Sequence, residues 1–280
     1  MHKQSTLLTI SILSLLMFFS CTQKGVKTEE KDLTKRYFLS SDTTKGALNI
    51  DIHVEIPIAS AEKNILDSIR ATVIKNLFGK KFSSHSNDSI LQLFVTEIEK
   101  DYKANNEPLL NELDTASSYS FNNDHTIEGF SLMNDKKIYV YGIDRYVYMG
   151  GAHGLSNRTY FNFDLKTGKV ITEKDLFSDN SLKAISELIK VRIVEESKET
   201  SEAGTPPIRD LDDTDFWTDS IKPNGNFYIS DESINYVFNP YEIAPYYIGQ
   251  TEVSLPFERI SKFLKPNNPI AYLVEKKIKK

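Results

Sequence analysis

The sequence predicts an α+β protein built from antiparallel or mixed sheets with packed helices, arranged as two closely associated lobes. Three observations carry this. Residues 47–58, ALNIDIHVEIPI, alternate apolar and polar side chains as a half-buried strand does. Two segments, after Ser60 and after Ser181, repeat apolar residues at helical spacing. The remaining strand-like runs are joined by hairpin-type turns, and no glycine-rich strand-to-helix turn appears, which disfavours a doubly wound parallel sheet.

The chain opens with a basic start, Met1-His2-Lys3-Gln4, and an uncharged apolar run from Leu7 to Phe19. A charged start, a short apolar core and a small residue before a cut site form a secretory signal, expected over residues 1–20. The run is short of the about 20 apolar residues that span a bilayer. Cys21, the one cysteine of the chain, follows Phe18-Phe19-Ser20. That position resembles the lipobox of bacterial lipoproteins, in which the cysteine is diacylated; Phe18 stands where leucine is commoner. The resemblance implies a protein lipid-anchored in the cell envelope, at the outer membrane or its periplasmic face. Residues 21–36, rich in Lys, Glu and Thr, read as a disordered tether because they bury too little apolar surface to fold.

In the strand over 47–58, Leu48, Ile50, Ile52, Val54 and Ile56 share one face, and Pro57, lacking an N–H, is expected to close it. Ser60 is placed to cap a helix carrying Ile65, Leu66, Ile69, Val73 and Leu77, which Gly79 ends. Residues 86–104 form a second helix, with Ile90, Phe94 and Ile98 on one side. Strand character returns over 119–133 and is strongest over 137–149. Phe161 to Asp164 leads through Lys166-Thr167-Gly168-Lys169 into a hairpin. A helical turn over 172–177, a helix over 181–197 and a long acidic loop over 199–215 follow. Short strands over 226–230, 234–238 and 251–255, then a helix over 257–264, complete the second half, and Lys276–Lys280 read as a solvated helix end.

There are 39 acidic and 34 basic side chains, a net charge of −5, so the basic stripe of nucleic-acid binders is not expected. His53, His85, His125 and His153 stand apart without metal-ligand spacing. Asp210, Asp212, Asp213 and Asp215 lack the ordered spacing of a calcium loop. No metal and no cofactor is therefore expected.

Four motifs run in order through the second half: Gly150-Gly151-Ala152-His153, Phe163-Asp164-Leu165-Lys166-Thr167-Gly168-Lys169, Thr172-Glu173-Lys174-Asp175-Leu176-Phe177, and Asn239-Pro240-Tyr241-Glu242-Ile243-Ala244-Pro245-Tyr246. This order resembles the RsiV-like bacterial envelope domains of unknown function, and covers residues 146–264. The strand and helix over 47–79 resemble, more weakly, the PdaC-type partner domain. The resemblance implies an amino-terminal domain over 37–145 and a carboxyl-terminal domain over 146–280. It also implies a compact ectodomain, some of whose relatives bind a protein such as lysozyme while others sit beside a peptidoglycan deacetylase. Gly150, Gly151, His153, Tyr241, Glu242 and Tyr246 become the candidate ligand-binding residues.

His153 is also weighed as a catalytic base. A base needs a carboxylate to orient it and a nucleophile within reach. Asp144 and Ser156 are near in sequence, but no G-x-S-x-G elbow exists. The plainer expectation is that the glycines let the chain turn and that His153 bonds backbone groups inside the turn. Tyr139, Tyr141, Tyr146, Tyr148, Tyr160, Tyr236, Tyr241, Tyr246 and Tyr247 suit an interface or sugar stacking, though most are expected in the core. The reading is a non-enzymatic module that binds a protein, lysozyme-like, or a peptidoglycan or other glycan ligand. The alternative is an envelope hydrolase using His153.

Overall fold

The computed structural model describes residues 25–112, 121–201 and 206–279; the expected signal peptide and Cys21 lie outside them. Six strands form the larger sheet in the order β1 (Lys27–Phe38), β2 (Ala47–Ala59), β3 (Asn123–Asn134), β4 (Ile138–Tyr148), β5 (Leu155–Asp164) and β6 (Lys169–Val170). β2 and β3 run parallel and every other neighbouring pair is antiparallel, so the sheet is mixed. A second, antiparallel sheet holds β7 (Phe227–Ile229), β8 (Ser233–Phe238) and β9 (Thr251–Pro256).

β1 corrects the tether. Residues 27–36 are not a disordered linker but most of an edge strand paired with β2 from Lys27↔Ala59 to Phe38↔Ala47. Their composition hides this because residues 27–36 take their hydrogen bonds from β2 and bury only Leu33 in the core, which Val26 joins just ahead of the strand and Tyr37 partly covers. Charged side chains are what an edge strand carries to blunt its unpaired side.

The parallel step from β2 to β3 passes through α1 (Lys63–Leu77) and α2 (Asn87–Glu112). Both helices pack on one face of the sheet, where Ile65, Ile69, Val73, Ile90 and Val95 meet Leu48, Ile50, Ile52 and Ile56. The start of α1 departs from expectation. Glu62 holds the cap position without a side-chain cap, and the Ser60 hydroxyl donates to the Glu62 carbonyl at 2.8 Å. Pro57 likewise sits inside β2, beyond the last β2–β3 pair at Val54↔Gly129, where its missing N–H breaks no ladder to β3.

The domain boundary expected between residues 145 and 146 falls within β4. Tyr139, Tyr141 and Ile143 join the helix-covered core. Ile138 and Val140 point the other way, into a second core formed by α3 (Glu173–Leu176), α4 (Leu182–Thr200), β7–β9, α5 (Phe257–Ile260) and α6 (Ala271–Ile278). The two lobes therefore share a strand, because alternation along β4 gives each lobe one of its faces.

Three asparagines fasten the lobes along β5. Asn162, buried, donates to the Phe227 carbonyl at 2.7 Å and accepts from the Ile229 N–H at 2.8 Å. Asn226 accepts from the Tyr160 N–H at 3.0 Å and donates to the Arg158 carbonyl at 2.8 Å. Asn239 accepts from the Arg158 N–H at 2.7 Å and donates to its carbonyl at 3.1 Å. Each amide offers a donor and an acceptor: Asn226 and Asn239 stand in for a neighbour strand along the backbone of β5, and Asn162, on β5, does so for the backbone of β7.

Candidate binding site

The β4–β5 connection is the loop Met149–Gly154, closed by the last ladder pair Val147↔Leu155. Gly150 and Gly151 hold φ of 82° and 96°, a region in which a Cβ clashes. The Tyr148 hydroxyl donates to the Gly151 carbonyl at 3.0 Å, tying the loop back to its own strand. Gly154 is buried under Tyr146, and a Cβ there would come within 2.4 Å of that ring. The glycines therefore serve the corner and the close approach of an aromatic ring.

The second half of the site comes from the Asn239–Tyr246 segment. The Glu242 N–H donates to the Asn239 carbonyl at 3.0 Å, closing a turn with Pro240 and Tyr241 at its centre. Tyr241 has φ of 70°, the one non-glycine with positive φ among the described residues. That position normally takes Gly or Asn. Asn239 and Glu242 brace the turn: Glu242 accepts from Asn224 at 2.9 Å and from Asn239 at 3.4 Å. Of the six candidates, Glu242 is thus a brace rather than a free recognition group.

The two halves meet at Gly154. The Tyr246 hydroxyl donates to its carbonyl at 2.8 Å, and His153 Nδ1 lies 3.1 Å from the same oxygen. A carbonyl only accepts, so Nδ1 carries the hydrogen and Nε2 is left as the ring's second polar atom. The rings of His153 and Tyr246 stack at 3.8 Å and 18°, and Tyr241 stands 5.6 Å from Tyr246. Tyr241 is 52% exposed, and Met149 and Leu155, flanking the loop, are 70% and 40% exposed. The result is an aromatic and apolar cluster at one end of the molecule, open to solvent.

The tyrosines divide differently from expectation. Tyr139, Tyr141, Tyr160 and Tyr236 are buried, and burial pushes the Tyr160 hydroxyl up to about 12. Tyr146, Tyr148 and Tyr246 are only half-buried, and Tyr241 and Tyr247 are exposed, so most of the nine lie outside the core. His153 is exposed and has no carboxylate within ion-pair distance among the described residues. Asp144 is held by the Arg158 guanidinium through two bonds, and this contact raises the Arg158 pKa. Among the described residues no three His, Cys, Asp or Glu side chains group to hold a metal.

The fold and the ordered motifs are similar to those of the RsiV-like α+β domains of unknown function. Residues 174–258 match the family described as "Protein of unknown function (DUF3298)", which takes in Tyr241 and Tyr246 and leaves the Gly150–His153 loop upstream. Anti-sigma-V factor RsiV of Bacillus subtilis (strain 168) is 34% identical over 115 residues, 40% of this chain. The match spans 39% of that protein's length. A DUF3298 family member from Bacteroides fragilis superposes with a TM-score of 0.80 at 25% identity, over 90% of this chain and 99% of that one. A DUF3298 family protein from Pseudomonas aeruginosa PAO1 shares the fold, with a TM-score of 0.51 at 15% identity over 86% of this chain and 95% of that one.

Proposed function

We propose that this chain is a lipid-anchored module of the bacterial cell envelope, held through Cys21, that senses a protein ligand by binding it at the Tyr241–Tyr246–His153 cluster. The observation that carries the reading is Tyr241. A left-handed backbone costs a tyrosine about 1–2 kcal/mol, and the side chain so placed is half in water instead of in the core. Such cost is retained where the geometry serves recognition. The flanking Met149 and Leu155 favour a protein over a sugar, since they widen the aromatic platform into an apolar patch. The likeness to an anti-sigma factor supports sensing over catalysis, as does the lack, among the described residues, of an orienting carboxylate at His153.

Titration calorimetry with lysozyme and with peptidoglycan fragments tests the reading. Binding of lysozyme, weakened about tenfold or more by Tyr241→Ala, is the expected result. Binding of the glycan alone would transfer the site to the second ligand class, and binding of neither would remove the function. Mass spectrometry of the membrane fraction, with Cys21→Ser as control, tests the anchor.

A further inference from the structure

We infer that the solvent-side face of strands β1–β4 is a docking surface for a protein partner with a cationic patch. This deepens the proposed reading by giving the charge of the partner. The larger sheet is covered by α1 and α2 on one face, while the second lobe covers only the end of the other face where Ile138, Val140 and Asn162 lie. No other described element covers the remainder of that face. Ladder register sets one row across it, Asp32↔His53↔Glu128↔Asp144↔Arg158, drawn from five successive strands. Asp51 and Asp124 lie on the same face, tied to His53 at 3.1 Å and to Asn49 at 2.7 Å.

The charges do not balance within the row. His53 is bracketed by Asp32 and Asp51, and Arg158 is locked to Asp144. Glu128, exposed, lies between His53, whose charged form it favours, and Asp144, and makes no hydrogen bond or ion pair among the described residues. Glu30, exposed and opposite Glu55, makes none there either. Like charges directly opposite one another destabilise a ladder. Threonine at position 30 would remove the Glu30–Glu55 opposition, so the fold itself does not account for that carboxylate.

The extent of the face selects a macromolecule over an ion. Neighbouring strands lie about 4.8 Å apart, so the acidic row from β1 to β4 is about 14 Å wide. Among the described residues no group of side chains on it has metal-holding geometry. On β4 the row passes from Asp144 to Tyr146 and Tyr148, whose rings reach the Gly150–Gly154 loop, so the acidic face runs into the aromatic cluster without a break. A partner lying across both would meet an apolar anchor at one end and a negative field along the rest, the arrangement that steers association.

The test uses a ten-residue oligolysine as probe for the face, with the unlipidated chain from residue 21 carrying Cys21→Ser. Nuclear magnetic resonance titration at low salt is expected to place the largest shifts on β1–β3 and to lose them at high salt. The triple variant Glu30→Gln, Asp32→Asn, Glu128→Gln is expected to weaken oligolysine about tenfold, while Tyr241→Ala leaves it unchanged. With lysozyme as a folded basic probe, the triple variant should flatten the salt dependence, and Tyr241→Ala should lower affinity at every salt concentration. Oligolysine that fails to bind, or binds the triple variant as well as the wild type, overturns the docking surface. Loss of the Tyr241 effect alone overturns the aromatic site and leaves the surface standing.

Discussion

His153 and Tyr246 lie face to face, 3.8 Å between ring centroids, and both reach the carbonyl of Gly154. One backbone oxygen thus joins the β4–β5 loop to the segment after β8. Removing the Tyr246 hydroxyl with Tyr246→Phe is expected to destabilise the protein by about 1 kcal/mol. Tyr246→Ala adds loss of the stack, about 1 kcal/mol more. Urea denaturation should show a lower midpoint at an unchanged slope.

Tyr241 carries the opposite expectation for stability. Tyr241→Gly relieves about 1–2 kcal/mol of left-handed strain. It gives back about 0.5–1 kcal/mol through the freer unfolded chain. The variant should therefore be more stable by about 0.5 kcal/mol, with weaker ligand binding. A destabilised Tyr241→Gly would show that the ring packs more than its exposure indicates.

Asn162→Ala should be among the most damaging single changes. It strands the buried Phe227 carbonyl and Ile229 N–H, a loss of about 2–4 kcal/mol. The same substitution at Asn224, an exposed-side contact to Glu242 and Val237, should cost less. Paired denaturation curves separate them.

Two histidines titrate in opposite directions. The hydrogen bond His53 donates to Asp32, with Asp51 nearby, raises the His53 pKa, so His53 supports the fold below its unfolded value of about 6.5 and loses that support as pH rises through the higher folded value. Burial, aided by Arg145, lowers the His125 pKa, so its support is present above about 6.5 and is lost as pH falls toward the lower folded value. Histidine resonances followed by nuclear magnetic resonance should show the His53 midpoint above the free value and the His125 midpoint below it. A shared midpoint would contradict both environments.

A chain starting at Leu39 lacks β1 and should lose at least about 3 kcal/mol, since Val26 and Leu33 leave the core with it. A chain starting at Gly25 should match the full domain. Equal stability of the two would return residues 27–36 to the role of a linker.

The parts of this fold that announce themselves are those whose pattern is local. Leu48, Ile50, Ile52 and Ile56 alternate on β2, and Ile65, Ile69 and Val73 step along α1, because one covered face is enough to write either period. β1 does not announce itself, since its partner strand, not its own side chains, makes it a strand. The asparagine bridges are silent for a related reason: Asn162 and Phe227 are 65 residues apart, and an amide imitating a backbone neighbour looks like any polar residue. Within the site, Gly150 and Gly151 were legible from the positive φ that glycine admits, whereas the left-handed Tyr241 was not, because that position normally takes Gly or Asn. The stacking of His153 on Tyr246 was not, because it depends on how two lobes close around β5. Glu242, drawn in by its motif, turned out to hold the turn that presents Tyr241.

The strand found where a linker was expected also sets a distance. Between Cys21 and Gly25 there are four residue steps, which reach at most about 14 Å whatever their conformation. Were Cys21 lipidated as proposed above, Gly25, two residues ahead of β1, would be kept within that reach of the lipid headgroups. A partner would meet the domain as part of the membrane surface, in two dimensions, with the choice of accessible face decided by how the first strand leaves the bilayer.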